Sequence, residues 1–233
     1  MAIADDIKTD IDGVLSDTWN IRDGQVVPET DDVALSGGGV KLEATMLYAD
    51  LAGSTQLAMW DRRVAARICK AFLSGASRLI RYKGGQIRSF DGDRVMGVFV
   101  GTAKNTNAAI CALHINWMFR DVLKPKFEAK YTKLADGTYT LAHATGIDRS
   151  EVLVVRGGIR NNNDLIWIGR APNIAAKLSA LREAPYYSFI TSDVFDPMTS
   201  SAKTSKSGQD MWEKRTWKGP VNEVYRSNWK WTP

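Results

Sequence analysis

The sequence predicts an α+β fold in which helices pack on one sheet, and three observations carry that prediction. Apolar residues recur first at strand and then at helix spacing, in the order strand, helix, hairpin, helix, strand. Two aspartate motifs fall where strands give way to turns, Tyr48-Ala49-Asp50-Leu51-Ala52-Gly53-Ser54-Thr55 and Phe90-Asp91-Gly92-Asp93-Arg94-Val95-Met96-Gly97-Val98-Phe99. With 233 residues, 44% of them apolar, and no internal repeat, the chain can bury a sizeable core.

Residues 1–40 read as an accessory arm. An amphipathic helix carries Ile7, Ile11, Val14, Leu15 and Trp19, and a polar connector ends in the breaker Ser36-Gly37-Gly38-Gly39. The central domain, 41–198, opens with the apolar run Ala44 to Leu51 as a strand. A helix from Ser54 to Arg81 follows, capped by Ser54 or Thr55, with Leu57, Val64, Ile68, Phe72, Ala76 and Leu79 along its core face. A hairpin of strands Gln86–Phe90 and Val95–Gly101 turns at Asp91-Gly92, a preferred two-residue loop. The second helix, Thr102 to Val122, carries Ile110, Leu113, Trp117 and Met118. Strands at Thr138–Ile147 and Glu151–Arg156 precede an Asn-rich turn. A short apolar strand then stops at Gly169, and a helix begins near Pro172, a residue suited to the first helical turn. Residues 199–233 form an extension, a Ser/Lys-rich loop and then a Trp-rich hairpin between Met211 and Trp231 whose tryptophans are expected to pack.

Composition narrows the function classes. The net charge of +5 is spread along the chain without a dense basic run, so no nucleic-acid partner is expected. Cys69 and Cys111 fall on helices and read as core thiols, not as a disulfide framework. His114 and His143 lack zinc-ligand spacing to them, and His143 is expected to face a strand neighbour. With no targeting signal and no long apolar run, the expected setting is the cytoplasm, with no membrane contact.

The chemistry lies in the two aspartates and in a third motif. Strand-end carboxylates suit a hard cation, which takes oxygen ligands and leaves positions for substrate phosphates. In Asp164-Leu165-Ile166-Trp167-Ile168-Gly169-Arg170-Ala171-Pro172-Asn173-Ile174-Ala175-Ala176-Lys177-Leu178, Asn173 and Lys177 are four apart and share one helix face, while Ile174, Leu178 and Leu181 repeat on another. Together the three motifs resemble the class III nucleotidyl cyclase catalytic domain, over roughly Leu42 to Phe195. The resemblance implies a ferredoxin-like sheet with helices packed on it, and two divalent cations, Mn²⁺ or Mg²⁺, at Asp50 and Asp93 with the Leu51 carbonyl as an extra ligand. It further implies Asn173 at the ribose and Lys177 where the family usually has arginine. It also implies a homodimer whose sites are shared across the interface.

The base-reading positions depart from the purine enzymes of that family. Ser89 stands where a lysine is common and Ile166 where a polar residue, often aspartate, is common, so the adenine-reading pair is missing. Val154-Val155-Arg156-Gly157-Gly158, the Asn161–Asp164 stretch and Trp167-Ile168-Gly169-Arg170 are similar to the pyrimidine cyclases of the Pycsar anti-phage system. That likeness implies conversion of UTP to 3′,5′-cyclic UMP and pyrophosphate, and a cyclic-UMP-responsive effector acting in phage defence; a cytidylate cyclase making cyclic CMP is the nearest alternative. Tyr48, on the strand face of Asp50, together with Ser89, Arg94, Arg156, Ile166 and Arg170, is the expected substrate-binding set. From another class, a non-catalytic cyclase-like nucleotide sensor draws support from Lys177, while Asp50, Asp93 and Asn173 favour catalysis.

Overall fold

Two long strands form the spine of the computed structural model, which describes residues 2–233. In chain order the elements are α1 (Ile3–Ser16), β1 (Asn20–Asp23), β2 (Gly38–Ala52), α2 (Ser54–Trp60), α3 (Arg62–Tyr82), β3 (Gln86–Asp91), β4 (Arg94–Phe99), α4 (Lys104–Trp117), α5 (Lys124–Glu128) and α6 (Thr132–Ala135). There follow β5 (Ala142–Ile159), β6 (Asn162–Gly169), α7 (Arg170–Ser179), β7 (Ser188–Thr191), α8 (Ser192–Phe195), α9 (Ser200–Lys203), β8 (Glu213–Thr216) and β9 (Glu223–Ser227). The strands make one nine-stranded mixed sheet in the order β3-β4-β2-β5-β7-β9-β8, with β1 parallel to β2 and β6 antiparallel to β5. β2 and β5 run antiparallel in unbroken register from Gly39↔Val155 to Ala52↔Ala142.

Alternation along β2 sorts its side chains onto two faces. Leu47, Ala49 and Leu51 join Ile68, Phe72, Leu113 and Phe119 in the larger core beneath α3 and α4. Val40, Leu42, Ala44 and Met46 join Ala171 and Ala175 of α7 on the opposite face. Tyr48 and Asp50, in step with Met46, therefore point to the α7 side.

Several boundaries differ from the sequence reading, each for a local reason. The first long helix breaks at Asp61, whose extended backbone and side chain cap α3 by accepting from the Arg63 and Val64 N–H groups at 2.7 and 3.1 Å. At the start of α2 the N-cap is Gly53, without a side-chain bond from Ser54 or Thr55. The hairpin turn is Gly92-Asp93, one residue beyond Asp91-Gly92. Asp91 pairs with Arg94, and Gly92, at φ 61°, takes the first central position that II′ turns reserve for glycine. The second helix gives way after Trp117 to a π-helical turn, Met118–Leu123.

The two strands expected around residue 149 are one. Asp148 could have turned the chain there, but its carboxylate is occupied by Arg170 and Thr191, and β5 stays extended. In the arm, α1 buries no residue, whereas β1 pairs with β2 at Gly38 and Gly39, and Val27 and Val33 are buried with Val40. The C-terminal hairpin is β8–β9, joined to the sheet through β7, and Trp212, Trp229 and Trp231 pack on the larger core. Cys69 is half-buried, unlike buried Cys111, and both are free thiols.

Candidate active site

The end of β2 and the β3–β4 turn bring the two aspartates together. Asp50 pairs in register with Arg94 on β4 and Ala144 on β5, which sets the Gly92-Asp93 turn beside it. Burial pushes the Asp50 carboxyl above the usual carboxylate range. A hydrogen bond and charge from Arg182 pull it back, and the Asp93 charge pushes it up again. The Asp93 Oδ2 is buried and has no hydrogen-bond partner among the described residues. An orphaned carboxylate oxygen next to a second carboxylate is a feature that a hard cation would satisfy, so the donor set fits one. Asp50 already holds a cationic group: Arg182 Nη2 donates to its Oδ2 at 2.6 Å. Among the described residues no group of three or more His, Cys, Asp or Glu side chains could hold a metal, so phosphate oxygens would have to complete the coordination.

One sheet row away lie Tyr48, Met96 and Ser89, paired Tyr48↔Met96 and Ser89↔Met96. Tyr48 and Ser89 are thus on one face two strand spacings apart, about 10 Å. The Arg94 guanidinium lies over the Tyr48 ring at 5.3 Å and donates to Asp91 Oδ2 at 2.5 Å. Burial raises the Tyr48 phenol further above neutrality, so its hydroxyl is available as a donor. Leu51 follows Asp50 with its side chain in the core.

The other expected residues lie elsewhere. Arg170 at the start of α7 is committed to a clasp: its Nε and Nη2 donate to the wholly buried Asp148 at 3.1 Å each, and Nη2 also meets Asp193. That pins the N-terminal end of α7 to the sheet and leaves Arg170 engaged within its own chain. Arg156 donates through Nε to Asn163 Oδ1 at 2.7 Å and pairs with Asp31 at 3.1 Å. Ile166 pairs with Val155, which pairs with Gly39. Gly39 is eleven residues before Asp50 on an unbroken strand, so Ile166 lies roughly 36 Å from that end. Asn173 and Lys177 are exposed on α7, opposite its buried Ala171, Ile174, Ala175 and Leu178; the Asn173 amide bonds back to the Gly169 carbonyl at 3.0 Å.

Sequence reasoning missed Arg182. A basic residue just past a helix reads as an ordinary C-terminal cap, and Arg182 does donate to the Ser179 and Leu181 carbonyls at 2.8 and 2.9 Å. Its bond to Asp50 spans 132 positions, and no local pattern signals it.

No protein-family model matches the chain. A protein of Rhodovulum sp. (strain MB263) described as a uridylate cyclase is 49% identical over 219 residues, 93% of this chain and 91% of that one. A second protein of that description, from Burkholderia cepacia, is 41% identical over 235 residues and the full length of both chains. Among solved structures, an adenylyl cyclase from P. aeruginosa superposes with a TM-score of 0.63 at 20% identity, covering 81% of this chain and 95% of that one. The fold is therefore that of class III cyclase domains.

Proposed function

The chain belongs to the uridylate cyclase family and is a nucleotidyl cyclase; from that premise we propose that it converts UTP to 3′,5′-cyclic UMP and pyrophosphate. The observation that carries the reading is the paired carboxylate site, with a buried Asp93 oxygen that no described residue satisfies. Asp50 and Asp93, with the Leu51 carbonyl, would hold two divalent cations. Once bound, these would acidify the ribose 3′-hydroxyl and hold the triphosphate. The 3′-oxygen attacks the α-phosphorus, the bond to the β-phosphate breaks, and the hydroxyl proton is released. The protein's own task is to align these groups and meet the developing charge. Asn173 orients the ribose, Lys177 supplies positive charge at the phosphates, and Tyr48 and Ser89 line the base.

The site is shared between two copies. Asn173 and Lys177 face outward from α7, and Ile166 lies about 36 Å from Asp50. The end of the sheet far from Asp50, made by β1, β2, β5 and β6, exposes Ile21 and Ile166 in one sheet row and Ile168 in the next, an apolar face suited to a second subunit. Cyclic UMP then acts as a second messenger in the bacterial cytoplasm, activating an effector during phage infection. No described helix is long and apolar enough to cross a membrane.

The deciding experiment incubates purified protein with ATP, GTP, CTP and UTP in competition, with Mn²⁺, and identifies products by mass. Cyclic UMP should dominate. A dominant cyclic CMP or purine product would overturn the base assignment, and no product from any nucleotide would favour the sensor.

A further inference from the structure

Arg182 lies outside the three motifs, yet it is the residue that meets a metal aspartate. Its guanidinium is held at three points: Nη1 by the Ser179 and Leu181 carbonyls, and Nη2 by Asp50 Oδ2. The carbonyls at a helix C-terminus favour a cation there, so α7 helps to seat the guanidinium beside Asp50. The Asp50 side chain is 17% exposed and that of Arg182 39%, so the arginine lies on the solvent side of the pair and can swing away. Two neighbouring carboxylates repel, and Arg182 lies where a cation would relieve that repulsion.

We propose that Arg182 is a positioning residue that stands in for the metal at Asp50 in the free enzyme, and that it transfers to the triphosphate when metal and nucleotide enter. The inference rests on the cyclase reading of Asp50 and Asp93. A divalent ion that takes Asp50 Oδ2 displaces a guanidinium of like charge, and one on the other oxygen is repelled by it, so metal binding is weakened while no nucleotide is present. The triphosphate offers the displaced guanidinium a planar, bidentate anionic partner. Metal and nucleotide therefore promote each other's binding, and by linkage the effect is reciprocal. Because Arg182 lies just past the end of the helix of Asn173 and Lys177 and bonds its Ser179 carbonyl, its release also loosens the C-terminal end of α7.

The test measures Mn²⁺ affinity by electron paramagnetic resonance, with and without 3′-deoxy-UTP, which lacks the attacking hydroxyl. Wild type should bind Mn²⁺ weakly alone and much more tightly with the analogue. Arg182→Ala should bind Mn²⁺ alone about tenfold more tightly than wild type, with a correspondingly smaller gain from the analogue and a higher KM for UTP. Arg182→Lys, which keeps the charge without the fork, should fall between them. Should Arg182→Ala fail to fold, Arg182→Gln carries the same expectation. Equal nucleotide-free affinities in wild type and the neutral variants would overturn this proposal alone. Wild type that binds no Mn²⁺ even with the analogue would overturn it together with the metal reading. A purely structural role for Arg182 would lower stability without tightening Mn²⁺.

Discussion

Replacing Asp93 with asparagine should stabilise the metal-free protein and abolish its response to metal, two effects of opposite sign from one atom. The Asp93 Oδ2 is buried without a partner beside the Asp50 carboxylate. Asparagine still places a polar atom there, but it removes the charge that pushes on the Asp50 carboxylate, and relief of that repulsion should return about 1 kcal/mol. For a domain of this size that raises the melting temperature by about 2–4 °C. Position 93 follows the strained position of the turn, Gly92 at φ 61°, so asparagine fits without distortion. With Mn²⁺ and 3′-deoxy-UTP at about 100 times the dissociation constant, wild type gains about 2.7 kcal/mol. That corresponds to a rise of roughly 5–11 °C. The variant should lose most of this rise, so that the two melting curves exchange order when metal and analogue are added. Thermal melts in the four combinations of protein and ligand, with analogue alone as control, decide it. A variant that melts lower than wild type without metal, or that keeps the full metal-dependent rise, would refute the assignment of Asp93.

Mixing Asp50→Ala with Lys177→Ala protein should restore part of the activity that each lacks, because a heterodimer can assemble one intact site. No recovery despite subunit exchange demonstrated by mass spectrometry would argue for a site within one chain. Gly146→Ala should lower the melting temperature by several degrees, since its Cβ would come within 2.2 Å of the Ala175 carbonyl oxygen and 2.3 Å of the Ser179 nitrogen, lifting α7; overpacking of this kind costs about 1–3 kcal/mol. An unchanged melt would mean that α7 is not seated as described. His143 gives a pH signature. Burial first, then the charges of Arg182 and Arg120, lowers its imidazole from 6.5 to about 3. Its stabilising contribution is complete above pH 6.5 and is lost as pH falls toward 3, because the unfolded chain takes up a proton that the folded chain refuses. The slope is about 1.4 kcal/mol per pH unit, or about 2 kcal/mol between pH 6.5 and 5. Urea titrations at pH 7.5 and 5.0 should show His143→Phe losing that much less than wild type, and equal losses would count against a buried neutral imidazole.

The order of elements and the strand-end placement of both aspartates were legible because each rests on local pattern: apolar period, turn glycine and helix start. What was not legible depends on distant partners. Asp61 falls inside the stretch from Ser54 to Arg81 that apolar spacing marks as one helix, and only its extended backbone makes it a cap. The break expected between residues 147 and 151 is absent because β5 pairs with β2 straight through it, while Asp148 is engaged by Arg170, 22 positions away. Arg170 was expected among the substrate-binding residues from the likeness of Trp167-Ile168-Gly169-Arg170 to the pyrimidine cyclases, whereas a wholly buried carboxylate claims it here. His143 was expected to face a strand neighbour. Its ring stacks on Tyr187 at 5.3 Å and meets the Asn116 side chain, contacts that no spacing along β5 encodes.

The length of the β2–β5 pair has a consequence for how the chain can work. One end of that pair carries Asp50 and the Asp93 turn, and the other carries Ile166 and Arg156. Roughly 36 Å of extended strand between them exceeds the span of any nucleoside triphosphate, so one chain cannot bring both ends to one substrate. Two antiparallel copies would set each metal end against the partner's distal arm, and two-fold symmetry would then create two equivalent sites. The α7 helix begins at the level of Val152 on the distal half, and Gly146 lies against its C-terminal turn near the Asp50 end. It therefore spans both halves within one chain, with Arg182 on Asp50 and Asn173 and Lys177 facing outward. A shift of α7 on substrate entry would be felt at the chain's own metal site through Arg182 and at its partner's through Lys177. The two sites of such a dimer are therefore expected to load cooperatively. Isothermal titration of 3′-deoxy-UTP with Mn²⁺ should give a two-site isotherm with unequal constants in wild type and a single constant in Arg182→Ala. Identical, independent sites in both proteins would show that α7 does not carry the coupling.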